Sequence, residues 1–483
     1  MKHSKMLALV LAVLMVVSLF AACAGEEKPA ETTAATTTAA TTTAATTTEA
    51  TTTEPAGPDL KGYNFEIMGT GDVFPKTNED GSYANATSEE LAEKLAALED
   101  KLGITITQVD FSGDKLEEVT TASLAGDCLA DIIWLRMKYG FPAAKAGALL
   151  PLDGEAAVNA GLNYADATRF EQVTTAWTKM FDKMWGFTVA SKYVPIQTGY
   201  FITFNRDLCA AAGYDAETLY QMARDHQWDW DTYRHIARRA TQDTDADGTP
   251  DIWGTGATAW GNEAVSNNVQ FIGQDASGKW VPTIDSDAGV RALQFLYDMN
   301  YGDGTRWDEG SGTCREGFAN GIVCFNWSQM GHINGPGATI FESNHDYGIL
   351  PMPLGPDATE YAAMSDNFSF FTIMNTNKEL DKTVAVLNEW ALILNDTSNY
   401  LDVLDDGRCR NEEDKEMLIN YVIPSYTVNL GFITDDIAGV VDEDDDGNGF
   451  ISGVSYNGMT PKQAIEAFRD PLQAVLDDFF DQK

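Results

Sequence analysis

Beyond residue 60 the chain alternates short apolar runs with amphipathic stretches of helical period. Tyr63 to Met68 alternates as a strand. A helix follows, with Leu91, Leu95, Leu98 and Leu102 spaced three and four apart as its apolar stripe. Thr87 and Glu90 read as the capping box that starts it, and Gly103 as the residue that stops it. Ile104 to Thr107 alternates again, a second helix runs from Asp114 to Ala125 and ends at Gly126, and Asp131 to Trp134 is a short buried strand. Strand, helix, strand, helix, strand is the pattern of a parallel sheet covered by helices on both faces. Such sheets bind ligands beyond the carboxyl ends of their strands. That rule points to Gly69 to Asp72 after the first strand and to Trp134, Arg136 and Lys138 around the end of the third.

The second half has the same mixed pattern. Tyr200 to Asn205 reads as a strand. Tyr233, Ile236, Ala237 and Ala240 mark one amphipathic helix, and Val290, Leu293, Leu296 and Tyr297 another. Gly321 to Trp327 is a buried strand that delivers an aromatic ring at its end. A strand at Phe370 to Met374 precedes a helix carrying Leu380, Val384, Leu387 and Leu394, and Thr460 with Pro461 opens a closing helix.

The first residues change the picture. Lys2 and Lys5, an apolar core from Met6 to Leu19 and the small pair Ala21-Ala22 make residues 1–22 a signal peptide. The apolar run is shorter than the ~20 residues that a membrane span needs. Leu19-Phe20-Ala21-Ala22-Cys23 resembles the lipobox of bacterial lipoproteins, which makes Cys23 the expected lipidation site and residues 23–58 a lipid-anchored tether. That tether is a low-complexity tract of Thr and Ala with almost nothing large to bury, so it reads as disordered. A formal net charge of −41 excludes nucleic acid and anionic lipid as partners, since both repel such a surface. Of six cysteines, Cys23 is assigned to lipid. Cys314 and Cys324 flank one short segment and are candidates to pair, while Cys128, Cys209 and Cys409 read as small core residues.

Two acidic loops carry oxygen ligands at alternate positions with a turn glycine among them, the way a calcium loop wraps a hard cation. The first offers Asp243, Asp245, Asp247, Thr249 and Asp251 around Gly248; the second offers Asp444, Asp446 and Asn448 around Gly447. The twelfth positions are Gly254 and Ser455, so a distant group or water must complete each shell. Either loop can equally be an acidic turn. No organic cofactor is expected, and no His-Glu-x-x-His helix, Gly-x-Ser-x-Gly elbow or phosphate-binding loop is present. Paired carboxylates abound in so acidic a chain and do not by themselves define a glycosidase.

The order of motifs resembles that of the extracellular solute-binding proteins of the maltose-binding-protein type. Leu124-Ala125-Gly126-Asp127 followed by Ala130 to Ile133 is similar to their helix end and third strand, and Ala146 to Leu152 resembles their "G-x-L-x-P-L" helix exit. Thr203 to Leu208 with Ala212-Gly213 is similar to their "Y-N-K-D-L … A-G" segment, and Trp230 to Tyr233 to a "T-W-D-E" helix start. Phe318 to Trp327 resembles the segment that ends in a pocket tryptophan, and Leu350 to Pro356 the "P-x-P-x-G" stretch. The collinear order carries the resemblance, since each short match is common alone.

The resemblance implies an α/β fold of the two-lobed periplasmic-binding-protein type (type II), each lobe a doubly wound sheet with helices on both faces. Lobe 1 is then 59–197 with 367–430 and lobe 2 is 198–366 with 431–483, the crossovers falling near Gln197 to Gly199 and Ser365 to Asn367. It implies a substrate-binding lipoprotein, not an enzyme. Held outside the cytoplasm by lipidated Cys23 alone, a monomer captures a sugar or oligosaccharide between its lobes and delivers it to an ABC permease. A surface-displayed glycan hydrolase or a glycan-binding adhesin is the alternative. Sugar pockets combine flat aromatic faces with groups that hydrogen-bond hydroxyls. The expected ligand-binding residues are Trp327, Trp134, Arg136, Asp366, Asn367, Asp72 and Trp260, with Trp185 and Tyr193 behind them.

Overall fold

Ten strands carry the architecture: β1 (Asn64–Met68), β2 (Thr105–Val109), β3 (Ile132–Arg136), β4 (Phe201–Asn205), β5 (Trp253–Thr255), β6 (Val323–Ser328), β7 (Tyr347–Leu350), β8 (Ala363–Ser365), β9 (Ser369–Thr372) and β10 (Tyr426–Val428). The computed structural model describes residues 57–194, 197–256, 261–307, 310–335, 337–365, 368–396, 404, 407–442 and 449–482. Cys23, Trp260, Asp366, Asn367, Asp444, Asp446 and Asn448, together with the expected signal peptide and most of the tether, lie outside these residues.

The first sheet has the order β9-β3-β1-β2. β1 runs parallel to β2 and to β3, and β9 joins β3 antiparallel. The helix Ala86–Leu102 starts two residues earlier than Thr87 suggests. Asn85, extended at φ −162°, caps it by accepting from the Ser88 amide at 2.8 Å. Glu90 does not reach back to a cap; its carboxylate accepts from Lys192 at 2.5 Å and Tyr193 at 2.6 Å. Gly103 ends the helix in the left-handed region at φ 69°, as its position predicts. Leu91, Leu95 and Leu98 are buried with Phe65, Ile132, Phe371, Leu387 and Trp390 on one face of the sheet. Ile133, Leu135, Phe141 and Phe370 fill the other face. Alternation along β3 and β9 therefore feeds two cores, and helices cover both.

The second sheet, β7-β4-β6-β5, is mixed: β4 is antiparallel to both β6 and β7, and β6 is parallel to β5. Every residue of β4, β6 and β7 is buried, the continuous apolar signature of a strand covered on both faces. Phe325 faces the helix Trp230–Ala240, 4.9 Å from the Tyr233 ring, while Cys324 faces the helix Arg206–Ala211 through Cys209.

Among the described residues two segments cross between the sheets, one at Gly199 and one at β8. Gly199 presses against Ala363, where a Cβ would meet the Ala363 carbonyl carbon at 2.7 Å, so only glycine fits. The Tyr200 amide donates to Met364, and β8 pairs in parallel with β10. β10 lies beside the returning segment without crossing, since the elements before and after it both pack in the second lobe, and it has no counterpart in the sequence pattern. One segment also differs from expectation. The helix Glu412–Met417, assigned from sequence to the first lobe, packs on the second sheet. Its fully buried Asp414 accepts from Arg206 at 2.8 Å, Tyr220 at 2.5 Å and the Ile349 amide at 2.9 Å. A buried carboxylate is held where its donors are, and these belong to the second sheet and its helices.

Candidate functional site

The turn after β1 shapes one wall of a cleft. Gly69 adopts φ 89°, and a Cβ there would meet the Phe111 ring at 2.7 Å and the Trp134 carbonyl at 2.9 Å. This glycine lets the chain turn tightly off the strand end and carry Asp72 and Phe74 outward. The cleft encloses about 1120 Å³. Its first-lobe wall includes Asp72, Phe74, Asn85, Trp134 and Tyr193. Gln197, Thr198 and Ser365 from the two crossings, with Tyr426 from β10 beside them, form its floor, and Gln329, Met330, Asn334, Phe341 and Arg408 its second-lobe wall. It lies where the end of β1, the end of β6 and the crossings meet, as the rule for α/β sheets requires.

Local contacts hold this lining. Trp134 is half-buried, with its ring 4.5 Å from Phe371. Lys192 and Tyr193 share the Glu90 carboxylate. The Lys192 ammonium, then Tyr193, keeps Glu90 below the usual carboxylate range, while burial raises the Tyr193 phenol well above its own. On the opposite wall the Gln329 amide donates to His332 Nδ1 at 3.1 Å, and its side chain reaches Ser365 at 3.4 Å. Burial pushes His332 down to about 4, with the Arg315 charge adding to the effect. The ring is therefore a neutral acceptor at pH 7, as the Gln329 contact needs.

Of the residues expected from sequence, Trp134 and Asp72 line the cleft together, and so does Tyr193. Asp72 is exposed and 3.4 Å from Lys76. Trp327 is elsewhere. It is 4 % exposed, inside the second core, and its indole donates to the Tyr233 hydroxyl at 3.1 Å. Phe325 and Trp327 share one face of β6 by the two-residue period, and that face is covered by the helix Trp230–Ala240. The strand runs on to Ser328, so the loop edge delivers Gln329 and Met330 instead. Arg136 ends β3 exposed and does not line the cleft. Trp185 is buried, its indole donating to Met180. Lys138 bridges to Asp435 at 2.6 Å. Sequence reasoning missed Gln329, Met330, Tyr426 and Arg408, because none sits in a periodic pattern; only the end of the β6 apolar run could have flagged Gln329.

The cysteines are arranged otherwise than expected. Cys128 is exposed, and the sulfur beside Cys324 is that of Cys209, at 3.3 Å, in place of the expected Cys314. Cys314 contacts the Trp307 carbonyl at 3.6 Å.

In the first acidic loop, ligand oxygens of Asp243, Asp245 and Asp247 lie within 4.8 Å of one another, all exposed. Amides of Asp247, Gly248 and Thr249 bond back to Asp245, Asp243 and Asp247, and Gly248 turns at φ 95°. Asp251 is turned away from this trio and accepts from the Thr244 amide at 2.7 Å. A Cβ at Gly254 would lie 2.2 Å from the Ala237 carbonyl, so no side chain of the loop fits the twelfth position. The three carboxylates suit a hard, oxygen-seeking divalent cation, with water or backbone oxygens completing the shell.

Among the described residues no helix is long and apolar enough to cross a membrane. No curated protein matches the chain by sequence. Solved structures do match in fold. UgpB from Mycobacterium tuberculosis, in complex with glycerophosphocholine, is 17% identical at a TM-score of 0.57, covering 86% of this chain and 99% of that one. The cyclic alpha-maltosyl-1,6-maltose binding protein from Arthrobacter globiformis is 13% identical at 0.59, with 86% and 100% covered. The maltotriose binding protein of Thermus thermophilus, bound with maltotriose, is 14% identical at 0.53, with 86% and 100% covered. These establish a two-lobed periplasmic-binding-protein-like fold. The model of the bacterial extracellular solute-binding protein family matches residues 81–392. With that match over most of its length, two sheets joined by chain crossings and a cleft at their junction, this chain belongs to the bacterial extracellular solute-binding proteins, which act outside the cytoplasm.

Proposed function

We propose that this protein is the carbohydrate receptor of an ABC importer, capturing a sugar or oligosaccharide in the interlobe cleft and passing it to the permease. The observation that carries this reading is the lining of the cleft. Aromatic groups (Trp134, Phe74, Tyr193, Tyr426) share it with neutral hydrogen-bonding groups (Asn85, Gln197, Gln329, Ser365) and with the charged Asp72 and Arg408, drawn from both lobes and their junction. Ring faces pack on the apolar side of a pyranose, and amides and hydroxyls donate to or accept from its hydroxyls. A ligand that touches both walls stabilises the closed arrangement by its differential affinity for it, and rotation at the crossings supplies the motion. No chemical step is required of the protein. In this reading Cys23 carries the lipid that retains the chain at the membrane, and the Asp243 to Asp247 loop takes a calcium ion that stiffens the second lobe.

The test is a thermal-shift screen against mono- and oligosaccharides, with glycerophosphodiesters as the competing class. A ligand at 100 times its dissociation constant adds ~2.7 kcal/mol of stability. A saccharide that raises the melting temperature and is recovered intact supports the reading. Stabilisation only by the phosphodiesters, or cleavage of the saccharide, contradicts it.

A further inference from the structure

Two cysteines that nothing in the binding function uses meet in the second lobe. Cys209, on the helix Arg206–Ala211, and Cys324, on β6, are both fully buried, and their sulfurs are 3.3 Å apart across 115 residues of chain. The other described cysteines do not compete. Cys128 donates to the Ala130 carbonyl, Cys314 contacts Trp307, and Cys409 is half-buried elsewhere. Two thiols in van der Waals contact, with no water between them, stand one oxidation away from a bond.

We infer that Cys209 and Cys324 are joined by a disulfide in the exported protein. Solute-binding proteins of this family fold outside the cytoplasm, where disulfides form and persist. The oxidant is a small-molecule or protein disulfide. One cysteine thiolate attacks a sulfur of that oxidant and releases one thiol; the second cysteine attacks the mixed disulfide and releases the other. The balance is two protein thiols plus one disulfide giving one protein disulfide plus two thiols. Burial raises the Cys209 thiol well above its usual range, so Cys209 in the folded protein is a poor nucleophile. The bond therefore forms while the helix is still docking on the strand. Once made, it fixes that helix to the strand whose end carries Gln329 and Met330 into the cleft. A loop of this length places the crosslink where it constrains the unfolded chain strongly.

The experiment is peptide mapping of the full exported chain, alkylated before denaturation and again after it, then digested without reductant. The expected result is a single peptide pair joined through Cys209 and Cys324, two hydrogens lighter than its separate parts and resolved into both by reductant. The melting temperature should fall on reduction, and the Cys209→Ala/Cys324→Ala double variant should lack that response. Recovery of Cys209 and Cys324 as alkylated, unlinked peptides overturns the inference, as does linkage of Cys324 to Cys314. The mapping uses the unaltered chain, so a variant that fails to fold leaves the test intact.

Discussion

Gln197 and Ser369 hold each other through a reciprocal pair of hydrogen bonds. The Gln197 side-chain amide donates to the Ser369 carbonyl at 2.8 Å, and its oxygen accepts from the Ser369 amide at 3.0 Å. One residue sits in the first crossing and the other opens β9, so the pair ties the outgoing chain to the returning one. Gln197 also lines the cleft. Gln197→Ala should lose two bonds of ~1 kcal/mol each, lowering the melting temperature by a few degrees and weakening ligand binding several-fold. Gln197→Glu keeps the acceptor and loses the donor, so it should fall between. Calorimetry with a melting curve for each variant checks the order.

Trp327 separates a core role from a binding role. Its burial against Tyr233 gives Trp327→Ala an expected cost of ~3–5 kcal/mol in folding stability. Whatever fraction folds should bind ligand with near-wild-type affinity. Denaturant melts set beside calorimetry on the folded fraction show this; a tenfold loss of affinity at unchanged stability would place the ring in the site after all.

The pH dependence of stability follows from two buried groups with opposite signs. Glu263 is 3 % exposed, and neither of its carboxylate oxygens has a hydrogen-bond partner. Burial, with the Asp442 charge adding to it and Arg306 opposing, raises it from 4.5 to about 8. The folded state thus keeps a proton that the unfolded chain loses, and stability falls as pH rises from 4.5 to 8. His332, lowered from 6.5 to about 4, stays neutral when folded while the unfolded chain takes a proton, so stability falls as pH drops through that window. Between 4.5 and 6.5 the two slopes nearly cancel. Between 6.5 and 8 the His332 contribution has ended and Glu263 lowers stability by ~1.4 kcal/mol per unit, or about 2 kcal/mol in all. Melting curves at pH 6.5 and 8 should show this loss in the wild type and not in Glu263→Gln.

Chelation tests the acidic loop. Removing divalent cations should lower the melting temperature, calcium should restore it, and Asp245→Ala should abolish most of the response, because Asp245 is the middle carboxylate of the converging three. A chelator-insensitive melting curve with no bound metal would make the loop an acidic turn.

Periodicity made most of the framework legible. The leucines at 91, 95 and 98, the alternation at Phe65 and Ile67 and the unbroken apolar run in β4 each specify an element and the face it buries. Boundaries were less legible where two residues competed for one role. Asn85 took the cap that Thr87 was expected to supply, because the chain is already extended at Asn85. The strand β10 is three residues, Tyr426–Val428, too short for any period to register. The placement of the helix Glu412–Met417 depends on donors to Asp414 that are remote in sequence. Within the site, strand ends correctly led to Trp134 and Asp72. The same logic misplaced Trp327, since β6 continues one residue past it and its ring lies on the covered face.

The most direct test of the account is a calorimetric titration of the best saccharide from the ligand screen into three proteins: wild type, Trp134→Ala and Gln329→Ala. These two side chains come from opposite walls of the cleft. Capture between the lobes predicts that both substitutions weaken binding, Trp134→Ala by about tenfold to a hundredfold, the ~1–3 kcal/mol of an aromatic anchor. Melting temperatures should stay close to wild type. Wild-type affinity in both variants, or no saccharide binding by the wild type, would contradict carbohydrate capture in this cleft.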